Sequence, residues 1–544
     1  MAGKGAASHL WYGDNLVVLR DHVADASVDL VYLDPPFNSN ATYNVLFKAP
    51  GGEASRAQIE AFDDTWHWNE TAERAFDEVM SSGHSDAAEM LRAMRSFLGE
   101  NDMMAYLAMM AVRLIELHRV LKPTGSLYLH CDPTASHYLK ILLDAVFGKD
   151  NFRNEITWKR TTTHSDSKTW SRVSDIILFY TKSNSFNWNT PREKYSEEYL
   201  SEKYRYDDGD GRKYMLDNML SPNPRPNMMY EWKGFPSPPM GWRYQRETME
   251  KLDSENRIYY PRTKDGKYDT NKRPRIKKYI DEMEGGVMGV VWTDIPPINS
   301  QAQERLGYPT QKPLALLERI IAASSNEGDV VLDPFCGCGT TVHAAEKLKR
   351  KWIGIDVTHL AIGLIRRRLI DAFPYASFDV LGVPGDVEAA RMLAAADKHQ
   401  FQLWALSTIE AQPYKGGKKG ADGGVDGYIW FKPDGKAPEK AVVSVKGGGN
   451  VGVTMIRDLI ATIEREKAKI GIFLTLEPPT GPMKTEAASA GFYESPLHGK
   501  FARIQILTIE EIFDGKQPHM PWIDPSVFKK AKRETSEVQK ELDL

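Results

Sequence analysis

The sequence is poor in cysteine, in long apolar runs and in net charge. Its 544 residues include three cysteines, Cys131, Cys336 and Cys338, too few for a disulfide framework or for a zinc site with four thiolates. No apolar run is long enough to cross a bilayer and no secretory leader is present, so we expect a cytoplasmic protein without a membrane partner. The net charge of −4 excludes a uniformly basic protein that coats nucleic acid, and any surface for nucleic acid must be a local patch.

A short apolar strand that ends in an acidic turn organises the first part of the chain. Residues 30–33 read Leu-Val-Tyr-Leu, which suits a strand buried in a parallel sheet, and the turn Asp34-Pro35-Pro36-Phe37 follows. Open α/β sheets bind their ligands at the carboxyl ends of the strands. Asp34 and the Pro35 carbonyl could accept both hydrogens of an exocyclic amine while Phe37 stacks on its ring. The alternative is a plain strand end with a capping aspartate.

A glycine-rich loop far downstream predicts a nucleoside site. Residues 329–332 form a second strand signal, and the loop Asp333-Pro334-Phe335-Cys336-Gly337-Cys338-Gly339-Thr340-Thr341 comes directly after it. The glycines allow a close approach of the backbone, and Thr340 opens a helical pattern whose N-terminus faces a ligand. A third strand ends at Asp356, 23 residues after Asp333. That offset is close to the roughly 20 residues at which an acid meets ribose hydroxyls in nucleoside-binding folds. A βαβ unit without a ligand is the alternative.

These two segments resemble motifs of the amino-methyltransferases of DNA. The order, with the acidic tetrapeptide first and the glycine loop last, resembles the beta-class adenine-N6 enzymes. Three further stretches agree, namely Gly13-Asp14-Asn15, the segment 120–128 and Pro309-Thr310-Gln311-Lys312-Pro313. The resemblance covers roughly residues 8 to 375 and implies a Rossmann-like α/β fold with a mostly parallel sheet. It also implies S-adenosylmethionine as cofactor and double-stranded DNA as partner.

The resemblance assigns roles to particular residues. Asp34, Pro35, Pro36 and Phe37 would hold the amine and the ring of the target base. The cofactor would be bound by Asp14, Lys312, Pro313, Asp333, Phe335, Cys336, Gly337, Gly339, Thr340 and Asp356. Lys312 could instead be a surface lysine at a helix start. Adenine is favoured over cytosine-N4 because the cytosine enzymes usually carry serine where this chain has Asp34.

Residues 159 to 300 differ in composition from the rest of the chain. Lys, Arg, Tyr and Trp interleave there with Pro, Gly and Asn, as in 203–206, 242–246 and 272–278. Cations can bind phosphates and aromatic rings can stack on an unpaired base. The position between the two motifs matches that of the family's target-recognition region, so we expect contact with DNA. A basic, loop-rich insertion without a ligand is the alternative.

The C-terminal part resembles the Mrr-like branch of the PD-(D/E)xK restriction nucleases. Those enzymes hold Mg²⁺ with an aspartate after a glycine turn and with an acid or glutamine two residues before a lysine. Asp426 and Lys446 fall in place, but Ser444 occupies the intermediate position and is a poorer ligand. A magnesium site, and with it DNA cleavage, is therefore in doubt. One alternative is a small αβ domain with a glycine-rich hairpin, and another is a domain that holds or scans DNA without cutting it.

The length predicts about two to four domains, and we divide the chain on these patterns. The predicted parts are a methyltransferase catalytic part (1–158), a target-recognition insertion (159–300), a cofactor-binding part (301–380), an Mrr-like domain (386–525) and a charged tail (526–544). We further expect a loop over 38–48, helices between 49 and 112, and one helix over 387–409. The sequence leaves a homodimer open. The predicted function is methylation of adenine N6 in DNA, with cytosine-N4 methylation or a combined restriction-modification protein as alternatives.

Overall fold

The computed structural model describes most of the chain as two compact units. Residues 8–36, 42–48, 54–63, 67–163, 168–299, 302, 304–306, 311–414, 424–433, 438–521 and 533–534 are described, with the backbone alone given for 42–48 and 54–63. One unit consists of Met1–Asn189 together with Val290–Leu544, and the other is Thr190–Gly289. The sites predicted from the tetrapeptide, the glycine loop and the C-terminal domain belong to the first unit.

The helices and strands follow one another in this order. Before the inserted unit come β1 (Ser8–Tyr12), α1 (Asn15–His22), β2 (Val28–Leu33), β3 (Thr42–Lys48), β4 (Ala54–Asp63), α2 (Glu70–Ser81), α3 (Ser85–Leu98), α4 (Asp102–Val120), β5 (Leu121–Cys131), α5 (Ser136–Phe147), β6 (Phe152–Lys159) and β7 (Ser174–Thr181). The inserted unit contains β8 (Arg192–Glu193), α6 (Glu197–Lys203), β9 (Tyr206–Asp207), β10 (Lys213–Asn218), α7 (Arg246–Ser254), β11 (Ile258–Tyr259), β12 (Arg275–Tyr279) and β13 (Gly286–Val287). The chain continues with β14 (Val291–Trp292), α8 (Leu314–Ser324), β15 (Val330–Asp333), α9 (Thr340–Lys347), β16 (Lys351–Asp356), α10 (His359–Ala372) and β17 (Phe378–Leu381). The last part holds α11 (Val387–Ala396), α12 (Lys398–Thr408), β18 (Gln412–Pro413), β19 (Gly427–Phe431), β20 (Glu439–Lys446), α13 (Val453–Glu466), β21 (Ile470–Thr475), α14 (Gly481–Ser489), β22 (Phe492–Ser495), β23 (Gly499–Ala502), β24 (Ile504–Thr508) and α15 (Ile509–Phe513).

A nine-stranded sheet forms the centre of the first unit. Its strand order is β14-β6-β7-β5-β2-β15-β16-β1-β17. All six residues of β2 are buried, as expected of a strand covered on both faces by helices. β7 runs antiparallel to β5 and to β6, and the other neighbouring pairs are parallel. The predicted α/β fold with a mostly parallel sheet is confirmed.

The strand order brings the two predicted motifs together. β15 lies between β2 and β16, with Leu30 opposite Val331 and Asp333 opposite Gly354. Because these strands are parallel, their carboxyl ends meet at one edge of the sheet. Asp34, the glycine loop and Asp356 follow or end these strands at that edge.

The predicted loop over 38–48 is wrong for its second half. Residues 42–48 form β3, which pairs antiparallel with β4, so β4 also replaces part of the helical region predicted between 49 and 112. Residues 43, 45, 47, 59 and 61 are aromatic, β-branched or alanine, and this partial alternation is a strand signal. The remaining helices, α2, α3 and α4, lie where that region was expected.

The helix α4 is a core element. Twelve of its residues are buried, from Met104 to Val120, so it lacks a broad polar face. Among the residues that the structure describes, no helix has both the length and the apolar character needed to span a membrane.

The inserted unit, Thr190–Gly289, has a small core of its own. β11, β12, β10 and β9 form a four-stranded antiparallel sheet. Its buried residues include Trp242 and Phe235, and Tyr204 is also buried. Trp242 and Tyr204 therefore pack inside the protein, although the sequence pattern offered them for stacking on a base. The predicted insertion of 159–300 is wider than this unit because β7 belongs to the central sheet.

The C-terminal part forms a second sheet within the first unit. Its order is β18-β19-β20-β21-β24, with β20, β21 and β24 parallel. The single helix predicted over 387–409 is two helices, because Asp397 ends α11 and caps α12 by accepting the N–H groups of His399 and Gln400. The domain limits taken from the sequence stay predictions.

Candidate active site

A cavity of about 360 Å³ lies at the carboxyl edge of the central sheet. Its lining is Gly13, Asp14, Asn15, Tyr32, Asp34, Pro36, Met109, Arg113, Lys312, Leu317, Asp333, Pro334, Phe335, Cys336, Gly337, Cys338, Thr340, Thr341, Asp356, Val357 and Thr358. The volume lies in the range of about 300–1,000 Å³ that small-molecule sites occupy. Both predicted motifs contribute to this one cavity.

Asp34 has one paired and one unpaired oxygen in the cavity wall. Lys312 Nζ donates to Asp34 Oδ2, and both side chains are largely buried. Asp34 Oδ1 is buried and has no hydrogen-bond partner among the described residues. A buried acceptor without a donor is costly, so its place in a cavity indicates that a ligand supplies the donor. The resemblance implied that Lys312 contacts the cofactor, whereas in the structure its ammonium group pairs with the Asp34 carboxylate.

The glycine loop is shaped by two residues with left-handed backbone. Gly337 has φ of +49° and Gly339 has φ of +76°. A Cβ atom at Gly339 would lie 2.8 Å from Ile365 Cγ1, which leaves no room for a side chain. Cys336 donates its N–H to the Ile355 carbonyl at 3.0 Å, so the loop is held against β16. α9 begins at Thr340, and Thr340 and Thr341 of its first turn, where helical N–H groups lack intrahelical partners, line the cavity.

A buried arginine supports this loop from α10. Arg368 Nη1 donates to the Cys338 carbonyl at 3.0 Å and to Thr340 Oγ1 at 3.1 Å. Its Nε donates to His343 Nδ1 at 3.2 Å. Burial lowers the pKa of the Arg368 guanidinium, which these acceptors hold beneath the loop. The sequence analysis missed this residue, because a buried arginine in the Arg366-Arg367-Arg368 run looks like surface charge.

Asp356 accepts a ring of donors at the end of β16. Gly337 donates its N–H to Oδ2 at 3.0 Å, and Thr358 donates its N–H and its hydroxyl to Oδ1, both at 2.9 Å. Burial raises the pKa of Asp356 to about 6, against the lowering effect of these hydrogen bonds. The carboxylate thus fixes the loop and also lines the cavity.

Asp333 should make the stability of the cofactor-free protein depend on pH. Burial raises its pKa to about 7, against hydrogen bonds from Thr341 and from the Phe335 N–H, while Asp34 and Asp356 add to the rise. The folded-state pKa lies above the ordinary value of about 3.9, so the folded protein binds the proton more tightly. Stability is therefore retained at low pH and lost as the pH rises through about 7. We expect Asp333→Asn to reduce this loss, measured by thermal unfolding from pH 5 to pH 8.

The exposed Asp21 provides the control for this prediction. Asp21→Asn should leave the pH dependence as in the wild type, because an exposed carboxylate is not desolvated on folding. A difference between Asp333→Asn and the wild type that stays constant across this pH range would contradict the assignment.

The N-terminal motif is tied to the glycine loop by a second buried arginine. Asn15 Nδ2 donates to the Pro334 carbonyl at 2.8 Å. Arg113 of α4 donates from Nε to Asn15 Oδ1 at 2.7 Å and from Nη2 to Asp14 Oδ1 at 3.2 Å. Asp14 also caps α1 by accepting the Leu16 N–H. The sequence analysis missed Arg113, which appeared as one charge within an apolar helix.

Most of the residues singled out from the sequence line the cavity or adjoin its lining. Asp14, Asp34, Pro36, Lys312, Asp333, Phe335, Cys336, Gly337, Thr340 and Asp356 line it. Pro35, Pro313 and Gly339 are chain neighbours of lining residues. Phe37 lies outside the described residues.

The pair predicted for the nuclease-like site is close in space. Asp426 Oδ2 lies 3.8 Å from Lys446 Nζ and accepts the Val445 N–H at 2.7 Å. Ser444 is buried and lies on β20, the strand that also carries Lys446. Within the described parts of the chain, no cluster of three or more His, Cys, Asp or Glu side chains could hold a metal ion. The glycine turn at 416–423 lies outside the described residues, and the Mg²⁺ site stays a prediction.

Comparison with known families agrees with this geometry. Residues 28–366 match the family model N6_N4_Mtase, described as DNA methylase. This match covers more than half of the sequence, and the chain belongs to the DNA methylase family. It is an S-adenosylmethionine-dependent DNA methyltransferase. Residues 393–497 match a second model, Mrr_cat, described as restriction endonuclease.

Individual relatives share different parts of the chain. The Type II methyltransferase M.EcaI of Enterobacter cloacae is 29% identical over 398 residues, which are 72% of this chain and 76% of that protein. The DNA adenine methyltransferase YhdJ of Escherichia coli strain K12 is 46% identical over 97 residues, 18% of this chain and 33% of that protein. Among solved structures, a DNA modification methylase of Thermus thermophilus in complex with S-adenosyl-L-methionine aligns over 69% of this chain and 99% of that chain, at 18% identity and a TM-score of 0.32.

The cavity fits the cofactor that this family uses. The close packing of Gly339 against Ile365 fixes the path of the loop, and Gly337, which has no side chain, lines the cavity where a nucleoside would lie. Asp356 and the N-terminus of α9 offer polar groups to its ribose and to its charged end. Once bound, S-adenosylmethionine supplies an activated methyl group on a sulfonium, so the protein itself needs no covalent chemistry at the donor.

Proposed function

We propose that the protein methylates the N6 amine of adenine in double-stranded DNA. The observation that carries this proposal is the buried, unpaired Oδ1 of Asp34 in the cavity that the glycine loop also lines. An exocyclic amine would supply the missing donor. Asp34 with Lys312 then fixes the direction of the nitrogen lone pair, and the reaction gains its rate mainly from positioning.

The target base must leave the helix to reach Asp34. A paired base cannot reach the cavity, because the cavity lies at the sheet edge and is bounded by buried side chains. Extrusion of the base costs a few kcal/mol of pairing and stacking. Residues 168–173 are the last part of the connection from β6 to β7 at this same edge, and Trp170 among them is 98% exposed. An exposed ring there supports contact with DNA, since it can stack on an unpaired base.

The inserted unit supports recognition of DNA through its exposed cations. Arg205, Arg273 and Arg275 are exposed, and they form no ion pair within the described residues. Other cations of this unit are neutralised by acids, as in Lys277 with Asp208. The exposed arginines can contact phosphates or base edges.

Two other activities remain as alternatives. Cytosine-N4 is an exocyclic amine too, and the acceptor at Asp34 fits it equally well. Adenine is supported by Asp34 itself, through the resemblance, and by the name of YhdJ. The Mrr_cat match favours a combined restriction-modification protein as the second alternative.

One experiment separates these three activities. Unmethylated plasmid is incubated with the full chain and S-adenosylmethionine, then digested to nucleosides and analysed by mass spectrometry. We expect N6-methyladenine. N4-methylcytosine instead would overturn the choice of base. A parallel incubation with Mg²⁺ and without the methyl donor should leave the plasmid circular, because Ser444 gives a poor metal ligand; linear product would favour the combined protein.

A further inference from the structure

A buried chain of hydrogen bonds starts at the wall of the cavity. Tyr32 Oη lies 2.8 Å from His130 Nδ1, and His130 Nε2 lies 3.0 Å from Asp175 Oδ2. The three residues come from the neighbouring strands β2, β5 and β7, and each is at most 1% exposed. Arg160 Nε lies 3.1 Å from the second oxygen of Asp175. A polar chain of this kind in a hydrophobic core is costly unless its groups are paired. The two ring nitrogens of His130 and Asp175 Oδ2 are paired here, and Arg160 compensates the charge at Asp175 Oδ1, which accepts no hydrogen bond within the described residues.

The first member of the chain adjoins the reacting group. Tyr32 lies on β2 and lines the same cavity as Asp34, which follows two residues later, directly after the strand ends at Leu33. Burial raises the pKa of Tyr32 well above its usual range, and the charges of Asp34, Asp333 and Asp175 add to this. Tyr32 is therefore a neutral hydroxyl. It can donate its proton while it accepts another, but it does not persist as a phenolate.

The charges around the chain set the direction of its hydrogen bonds. Burial alone would raise the pKa of Asp175, but the hydrogen bond from His130 and the charges of Lys312 and Arg160 bring it below its ordinary value. Asp175 is then ionised and can only accept. His130 donates from Nε2 to Asp175, which leaves Nδ1 as an acceptor for the Tyr32 hydroxyl. His130 Nδ1 is thus the atom of this hydrogen-bonded chain that can receive a further proton.

We propose that Tyr32, His130 and Asp175 take up the proton that the target amine loses as it is methylated. The lone pair of the amine nitrogen forms the new bond to the methyl carbon, and the pair of the old carbon–sulfur bond stays on sulfur. One N–H bond of the amine breaks and its proton passes to Asp34 Oδ1. From Asp34 it moves across the cavity wall to Tyr32 Oη, while the hydroxyl proton of Tyr32 moves to His130 Nδ1.

The resulting positive charge lies on the imidazole beside Asp175, and Asp34 becomes ionised again. After the product leaves, the proton returns along the same hydrogen bonds in the reverse order and is released to water in the open cavity. No oxidant, metal or further reactant is needed. The inference rests on methylation of an amine at Asp34 and holds for adenine and cytosine alike.

The test uses two conservative variants and their combination in the full chain. Tyr32→Phe removes the hydroxyl, and Asp175→Asn keeps an acceptor oxygen but removes the charge. General acid–base catalysis contributes about 100-fold or more, so we expect each variant to lower the single-turnover rate of methyl transfer by about 100-fold. Because the two residues act as one unit, the double variant should lose no more than either single variant. The wild type should show a solvent deuterium isotope effect that Tyr32→Phe lacks.

Tyr128→Phe is the matched control. Tyr128 lies on β5 beside Tyr32 and is likewise buried, and its hydroxyl shares a hydrogen bond of 2.7 Å with Ser324 Oγ, which is not part of the Tyr32–His130–Asp175 chain. It should keep the wild-type rate and isotope effect, and all variants should bind S-adenosylmethionine within about twofold of the wild type by calorimetry. Losses that add in the double variant, an equal loss in Tyr128→Phe, or an unchanged isotope effect in Tyr32→Phe would each overturn the proposal. A wild type without methyl transfer would instead refute the proposed function itself.

Discussion

Replacement of Asp34 by alanine should abolish methyl transfer and leave cofactor binding nearly intact. The substitution removes the only buried acceptor without a partner that we find in the described lining of the cavity, and with it the group that orients the amine. It also leaves the Lys312 ammonium without its carboxylate. Loss of one preorganised polar contact in a reaction costs about 100- to 1,000-fold in rate. Because two effects combine here, we expect a fall of at least about 1,000-fold in tritium transfer from labelled S-adenosylmethionine to DNA.

The cofactor is held by other residues, so its affinity should stay within about threefold of the wild type in a calorimetric titration. Asp132→Ala is the control, because Asp132 follows β5 at the same sheet edge but does not line the cavity. It should keep most of the activity. A parallel loss of cofactor affinity in Asp34→Ala would contradict the role of Asp34 as the acceptor for the base.

Gly339→Ala should have the second largest effect, and on cofactor binding. The left-handed conformation costs a non-glycine residue about 1–2 kcal/mol, and the new Cβ would lie 2.8 Å from Ile365 Cγ1 and 3.1 Å from Val342 Cγ2. Overpacking of this kind adds about 1–3 kcal/mol. The loop must shift to relieve both, and a total near 2.8 kcal/mol corresponds to about 100-fold weaker binding. Calorimetry with S-adenosylmethionine measures this loss directly.

Gly328→Ala separates the two causes. Gly328 precedes β15 with φ of +84°, but nothing lies within 4 Å of the position of its Cβ. This control carries the backbone strain without the overlap, so it should lower the melting temperature and leave the cofactor affinity unchanged. Equal losses of affinity in both variants would show that the close packing at Gly339 does not shape the site.

The sequence predicted the two halves of the site because both are local patterns. One pattern is a buried strand that is followed by Asp34. The other is a strand, a glycine loop and a helix that lead to Asp356. Each can be recognised in a short stretch of sequence. These motifs occur in proteins with a Rossmann-like fold, and the strand order of that fold places the turn at Asp34 beside the glycine loop. The DNA methylase family, the fold class and the cofactor are confirmed, whereas the roles of single site residues stay predictions.

The parts that were missed depend on contacts between distant residues. Arg113 and Arg368 are buried arginines with partners distant in sequence: Asn15 lies 98 residues from Arg113, and Cys338 lies 30 residues from Arg368. Arg368 stands in a run of three arginines that is typical of a surface, and the single charge of Arg113 in an apolar helix does not reveal its partner. The pairing of β3 with β4 was missed because residues 54–63 mix polar and small side chains in a weak strand signal. The burial of Trp242 was missed because an aromatic residue among cations looks the same in a core as on a surface.

The position of β15 between β2 and β16 has a consequence for synthesis on the ribosome. About 300 residues separate β2 from the strand that pairs with its free side. At about 5–20 residues per second, β2 waits roughly 15 to 60 s for this partner. Until then, a nascent chain exposes an unpaired, apolar strand edge, the kind of surface that invites aggregation. Messenger RNAs cut before codon 330 should therefore yield insoluble fragments that depend on chaperones, because β2 gains this partner only after β15 has been synthesised.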